Sequence, residues 1–222
     1  MTYYPPSPDF AAPSGPPQPS TPLRIAVLAL FWLTTAASVA VTVAIFSRRR
    51  VWQNRRDDAL LAADELNDAD VPVIVAVFLL TMLGVTSAIA IALWTLRLVN
   101  SARARRVPGL SPGWAAGGWF VPIGLIVLGF RQVRKVVAGV GGSTAPVLAW
   151  QISFAVLAAV MTLARVTSED VDSLADPQDT MSALNREWIL SLAGSIMFVV
   201  TAALATRALI HADRSVEAVS PS

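Results

Sequence analysis

Four uncharged apolar runs, 25–46, 73–96, 147–164 and 188–206, punctuate the chain and are separated by polar stretches. At about 1.5 Å per residue each is long enough, or nearly so, to cross a hydrocarbon core of about 30 Å as a helix. The first run contains a tract of small residues (Ala36, Ala37, Ser38, Val39, Ala40) that mimics a signal-peptidase site. Apolar residues continue through Phe46, so the run is expected as an uncleaved anchor. Small residues recur four apart at Ala36, Ala40 and Ala44 and again at Gly84, Ala88 and Ala92, and these two faces are expected to pair.

A fifth apolar stretch, the central segment 112–130, breaks the pattern. Its apolar part from Trp114 to Phe130 gives only about 26 Å as a helix, and Gly113, Gly117, Gly118, Gly124, Gly129 and Pro122 interrupt it. Irregular backbone at membrane depth needs protein or a cavity around it. The expected fold is therefore an all-α integral membrane protein with four transmembrane helices and a broken or re-entrant central segment. Five spans is the alternative. Trp114 and Trp119 are expected toward the interface, with Gly117 and Gly118 against another helix.

The remaining stretches are polar. Residues 1–22 hold eight prolines in overlapping P-x-x-P spacing, for example Pro13, Pro16 and Pro19, and predict a disordered polyproline-type tail. Such a tail could dock in an aromatic groove of a partner protein. The membrane domain is assigned to 23–210 and a polar C-terminal tail to 211–222. Between the first two spans, Arg48, Arg49, Arg50, Arg55 and Arg56 are followed by Asp57, Asp58, Asp64, Glu65, Asp68 and Asp70. Helical spacing of Ala59, Leu60, Leu61, Ala63 and Leu66 suggests an amphipathic helix near the head groups. The acids lack the glycine and closing glutamate of a calcium loop and read as a solvated face. The loop 165–187 is acidic as well.

Charge placement then bears on topology. With four spans, the two termini and both flanks of the central segment share a side carrying ten of the 17 basic residues but three of the 15 acids. Basic residues near span ends favour the cytoplasm, which puts both termini inside. A five-span arrangement with an external N-terminus also puts ten basic residues inside, so charge does not choose between them. Lys135 is the only lysine, and with abundant Ala and Val this fits a high-GC bacterial genome and a bacterial cytoplasmic membrane.

Composition removes several function classes. The chain is 55% hydrophobic and 14% charged, against roughly a quarter charged in a soluble domain, and its net charge of +2 gives no ground for nucleic-acid binding. Without Cys there is no disulfide, thiolate metal site or cysteine nucleophile, and the lone His211 reads as a tail residue. No Asp, Glu, Lys, Arg or His lies inside the four spans, which argues against ion-coupled carriers, proton relays and voltage sensors. Thr34, Thr35, Thr42, Thr81, Ser87, Thr162, Ser191 and Ser195, with Gln151, are the polar groups at depth. The hydroxyls are expected to bond their own helix backbone. No enzyme, cofactor or metal site is expected. The arginine clusters Arg97, Arg103, Arg105 and Arg106, and Arg131, Arg134 and Lys135, could seat anionic lipid head groups, although topology explains them too.

The run Ser111-Pro112-Gly113-Trp114-Ala115, followed by Gly118-Trp119-Phe120-Val121-Pro122-Ile123, resembles the signature of a largely actinobacterial membrane-protein family. That family is the domain of unknown function numbered four-three-two-eight. Trp94, Arg97, Asn100 and Trp150 match its pattern as well, and the resemblance covers about 25–217. The chain departs from the family at Leu125, where Asn is usual, and at Gly129, where a second Pro follows. The resemblance implies a multi-span membrane protein and no particular activity. Two roles remain open: a scaffold or accessory subunit, or a lipid or small-molecule binder using a hollow beside Gly118–Gly124.

Overall fold

The computed structural model of the chain describes residues 21–54, 59–120, 125–168 and 177–218. Nearly all of the proline-rich tail, Arg55 to Asp58, Pro122 with its neighbours, and residues 169–176 of the acidic loop lie outside the described residues. Among the described residues six α-helices follow in order: α1 (Thr21–Asn54), α2 (Ala59–Ala104), α3 (Pro112–Gly117), α4 (Phe130–Gly139), α5 (Ala145–Ser168) and α6 (Pro177–Glu217). A π-helical stretch, Leu125–Gly129, leads into α4. The long helices α1, α2, α5 and α6 are each long and apolar enough to cross a membrane. Only 22–28% of the residues in their most apolar windows are buried by the protein itself, so most of each surface faces outward. Ile25, Leu33, Ile74, Phe78, Ile152 and Ile196 are all more than half exposed. In water that surface would be prohibitive, and in lipid it is the contact surface.

The chain runs up and down through the four long helices. α1 and α6 pack on each other, α2 lies against α1 and α5 against α6. The main core gathers Val27 from the start of α1, Trp94, Leu98 and Val99 from the end of α2, Val147 and Trp150 from the start of α5, and Ala205, Leu209 and Ala212 from the end of α6. The first described residues, the last described residues and the central segment therefore sit at one end of the bundle. A smaller cluster of Val41, Ile45 and Ala76, with Trp188 against it, closes the opposite end.

Several local expectations change. The charged stretch before the second span is helical, but it continues directly into that span, with Pro72 inside α2. Asp70 and Glu187 are not simply solvated: Arg48 lies 2.7 Å from Asp70 and 4.0 Å from Glu187, tying α1, α2 and α6 at the far end. α1 and α2 do pair, but the expected small-residue faces are turned inward only in part, at Ala44 and Ala92. Ala36 and Ala40 are exposed, and a Cβ added at Gly84 would meet nothing within 4 Å. The faces turned inward also carry hydroxyls. Thr34 meets Ser87 at 3.1 Å across α1 and α2, and Thr42 meets Ser191 at 2.8 Å and Ser195 at 2.7 Å across α1 and α6. Ser38 and Ser195 complete the set at 3.0 Å. Thr34, Thr35 and Thr42 also bond their own helix as expected. In a solvent with no hydrogen-bonding capacity, a second partner across the interface holds helices together where apolar contact gives no preference over lipid. Finally, 211–217 is no tail: α6 runs on to Glu217 and buries Ala212, Asp213 and Val216, because the apolar face at 205, 208, 209, 212 and 216 keeps helical spacing past the last span.

Candidate functional site

The central segment is an antiparallel hairpin whose two arms lie in contact along their length. At its base Val107 touches Gly139 so closely that a Cβ there would clash with it. One step further in, the Lys135 ammonium donates to the Gly109 carbonyl at 2.9 Å, and the Ser111 N–H donates to Gln132 Oε1 at 3.3 Å. Near the tip, a Cβ on Gly118 would lie 3.0 Å from the Gly129 nitrogen and 2.6 Å from the Trp114 carbonyl oxygen. The segment thus returns to the side from which it starts and is not a fifth span. Local sequence accounts for the shape. Pro112 opens α3 where its missing N–H costs nothing, and Gly109 at φ +74° and Gly141 at φ +77° sit in turns that side chains rarely permit.

Trp119 locks the tip. It is 3% exposed, its Nε1–H donates to the Thr95 hydroxyl at 3.1 Å, and its ring stacks 6.0 Å from Trp150 and meets Phe130 at a tilt, 5.1 Å away. Phe130 in turn meets Trp150 edge-on at 4.6 Å, and Phe31 of α1 also meets Trp150 edge-on, at 6.1 Å. The aromatic cluster thereby joins α1, α5 and both arms of the hairpin. Pairs of this geometry contribute about 0.5–1.5 kcal/mol each beyond area burial. Of the stretch Gly118–Gly124 where a hollow was expected, the space beside Gly118 is taken by the Trp114 carbonyl, the Gly129 nitrogen and Leu128, and residues 121–124 lie outside the described residues.

The other signature residues divide by position. Gly118, Trp119 and Trp150 are buried in this cluster; Pro112 is half-buried; Gly113, Trp114 and Phe120 are exposed; Pro122 lies outside the described residues. Trp114, 50% exposed, and Phe120, 57% exposed, face away from the protein, as interfacial aromatics do. Trp119, expected toward the interface beside Trp114, is instead the buried member of the pair.

The basic residues divide too. Arg131, Arg134 and Lys135 line one groove of about 510 Å³ with Val127, Thr144 and Gln151 between α4 and α5. Arg97, Arg103 and Arg106 are exposed and Arg105 half-buried near the end of α2, outside that groove. Reading the sequence missed a third feature. Asp213, 2% exposed, accepts from Arg24 at 3.1 Å and from Trp94 Nε1 at 3.3 Å, so one carboxylate ties α1, α2 and α6. A buried charge needs such partners, and removing one strands the rest. The signal was available in the unbroken apolar period through Val216.

No group of three His, Cys, Asp or Glu side chains that could hold a metal occurs among the described residues. The fold and site define a multi-span α-helical membrane protein with a re-entrant hairpin wedged into one end of its bundle. The family model described as Domain of unknown function (DUF4328) matches residues 57–214, and the chain belongs to that family. No curated protein and no solved structure matches it.

Proposed function

We propose that the chain is a non-catalytic scaffold or accessory subunit of a bacterial cytoplasmic membrane, with both termini in the cytoplasm. The observation that carries this reading is the close packing of the hairpin's described residues, where Trp119 fills the space beside Gly129 and Leu128 the space beside Gly118. A carrier needs a site near the bilayer midplane reached alternately from either face. Here the buried hydroxyls of Thr42, Ser38 and Ser195 are already bonded to one another or to backbone, and the one buried hydroxyl at depth without a partner among the described residues, Thr201, stands alone. Orientation rests on the basic residues, since Arg24, Arg103, Arg134, Arg207 and their neighbours belong to the end that holds the hairpin. The partner would be engaged through the P-x-x-P tail or through the outward helix faces.

Affinity purification of the full chain in mild detergent, beside a chain lacking residues 2–20, tests this. The expected result is a protein retained in fixed ratio by the full chain, with expression and melting temperature unchanged by the deletion, because so proline-rich a composition contributes no core. A small molecule in fixed ratio and no protein would overturn the scaffold reading in favour of a binder.

A further inference from the structure

A second basic groove lies on the other side of α5, and none of its charged residues belongs to the arginine sets of the sequence. It measures about 700 Å³ and runs between the start of α5 and the end of α6. Arg207, His211 and Arg214 fall at i, i+4 and i+7 of α6, which places them on one face above it, and Ala149, Leu204 and Ile210 give it an apolar lining. Arg207 and Arg214 are exposed, and neither has an ion-pair partner among the described residues. His211 is fixed against the turn that leads into α5 by its Nε2, 2.9 Å from the Ser143 carbonyl oxygen, so the imidazole donates there. We infer that this groove binds a single anionic phospholipid, its phosphate between Arg207 and Arg214 and its first acyl carbons along Ala149, Leu204 and Ile210.

Three observations converge on that occupant. Arg207 is the first charge after the uncharged run 188–206, and α5 enters its span at Ala145, so the groove lies where the helices leave the hydrocarbon. Arg207 and Arg214 are separated by roughly 10 Å along the helix, a spacing a lipid head group with its glycerol can bridge. Guanidinium groups suit phosphate because they offer paired donors in a plane. Topology alone requires basic residues near span ends. It does not require two of them over an apolar-floored groove open to the surrounding lipid. This inference goes beyond the scaffold reading and stands or falls separately from it.

The test uses the full chain in detergent with dioleoylphosphatidylglycerol, dioleoylphosphatidylcholine or inorganic phosphate. The readouts are lipid retention by native mass spectrometry and melting temperature. The expected result is at least five-fold greater retention of the phosphatidylglycerol than of the phosphatidylcholine, with a rise in melting temperature that inorganic phosphate does not reproduce. Arg207→Gln with Arg214→Gln should abolish the preference, and Arg50→Gln with Arg186→Gln, both exposed at the opposite end of the bundle, should leave it. Equal retention of the two lipids, equal loss in both double variants, or the same stabilisation by inorganic phosphate would each overturn the inference. Should the first double variant fail to fold, Ala149→Trp fills the groove without touching its charges, and a preference that survives it overturns the inference as well.

Discussion

Gly129→Ala isolates the closest approach in the hairpin. Gly129 has ordinary helical backbone, φ −60° and ψ −52°, so alanine meets no conformational obstacle. In such a conformation the exchange on its own stabilises by about 0.4–1 kcal/mol through the unfolded chain. Against that, the new Cβ would lie 2.6, 2.8 and 2.9 Å from Cε2, Cδ2 and Cζ2 of Trp119. Carbon atoms rest at about 3.5–4.0 Å, so the indole would have to retreat by roughly 1 Å. It has nowhere to go: Thr95 holds its nitrogen at 3.1 Å, and Phe130 and Trp150 pack against the ring at 5.1 and 6.0 Å between centroids. Overpacking of this kind costs about 1–3 kcal/mol, and losing the indole hydrogen bond adds about 1 kcal/mol. The clash wins, and the net expectation is a loss of about 2 kcal/mol, or roughly 5 °C in melting temperature for a chain of this size. Tryptophan fluorescence during thermal unfolding in detergent reads it. Gly117→Ala is the control, since a Cβ there meets nothing within 4 Å, and it should not lower the melting temperature. In a Trp119→Leu background, Gly129→Ala should cost nothing further. A Gly129→Ala chain that melts with the wild type would refute the reasoning, as would an equal loss from Gly129→Ala whether or not Trp119 has been replaced.

Other substitutions probe the remaining ties. Asp213→Ala strands Arg24 and Trp94 Nε1 and should cost about 2–3 kcal/mol, somewhat below a fully buried pair because Arg24 is 20% exposed. Combined with Arg24→Gln, the loss in a thermal double-mutant cycle should fall short of the sum of the singles. Thr42→Val removes the bonds to Ser191 and Ser195 and should destabilise by about 1 kcal/mol. Thr81→Val, whose hydroxyl serves only its own helix at the Val77 carbonyl on an exposed face, should be neutral by the same melt. Ala36→Leu, on an exposed face, should be tolerated, whereas Ala92→Leu, 4% exposed, should cost about 1–3 kcal/mol.

The four spans were legible because uncharged length alone defines them, and the broken central segment because Gly and Pro mark it. What the sequence could not convey is which side of a membrane helix faces protein. In water an apolar stripe answers that question, but in lipid both faces are apolar, and the small residues at 36, 40 and 84 proved no guide. The hydroxyls at 34, 38, 42 and 195 were the true interface markers, hidden because each can also bond its own backbone. Asp213 and the arginines beside it were assigned to a tail because charge normally ends a span. One carboxylate with two donors is compatible with burial, and the apolar period around it carries the helix onward.

The hairpin's topology can be tested without disturbing the fold, because the chain has no native Cys. Single cysteines at Ala104 and Ser143, both exposed and flanking the hairpin, are compared with one at Gln53, exposed at the far end of α1. A membrane-impermeant thiol reagent is applied to intact cells and then to broken ones. The account predicts that positions 104 and 143 behave alike, both unlabelled until the cells are broken, while position 53 labels from outside. Labelling of 104 and 143 from outside with 53 protected would keep the hairpin and reverse the orientation. Labelling of only one of the two flanks in intact cells would mean that the segment crosses the membrane, and would contradict the central claim.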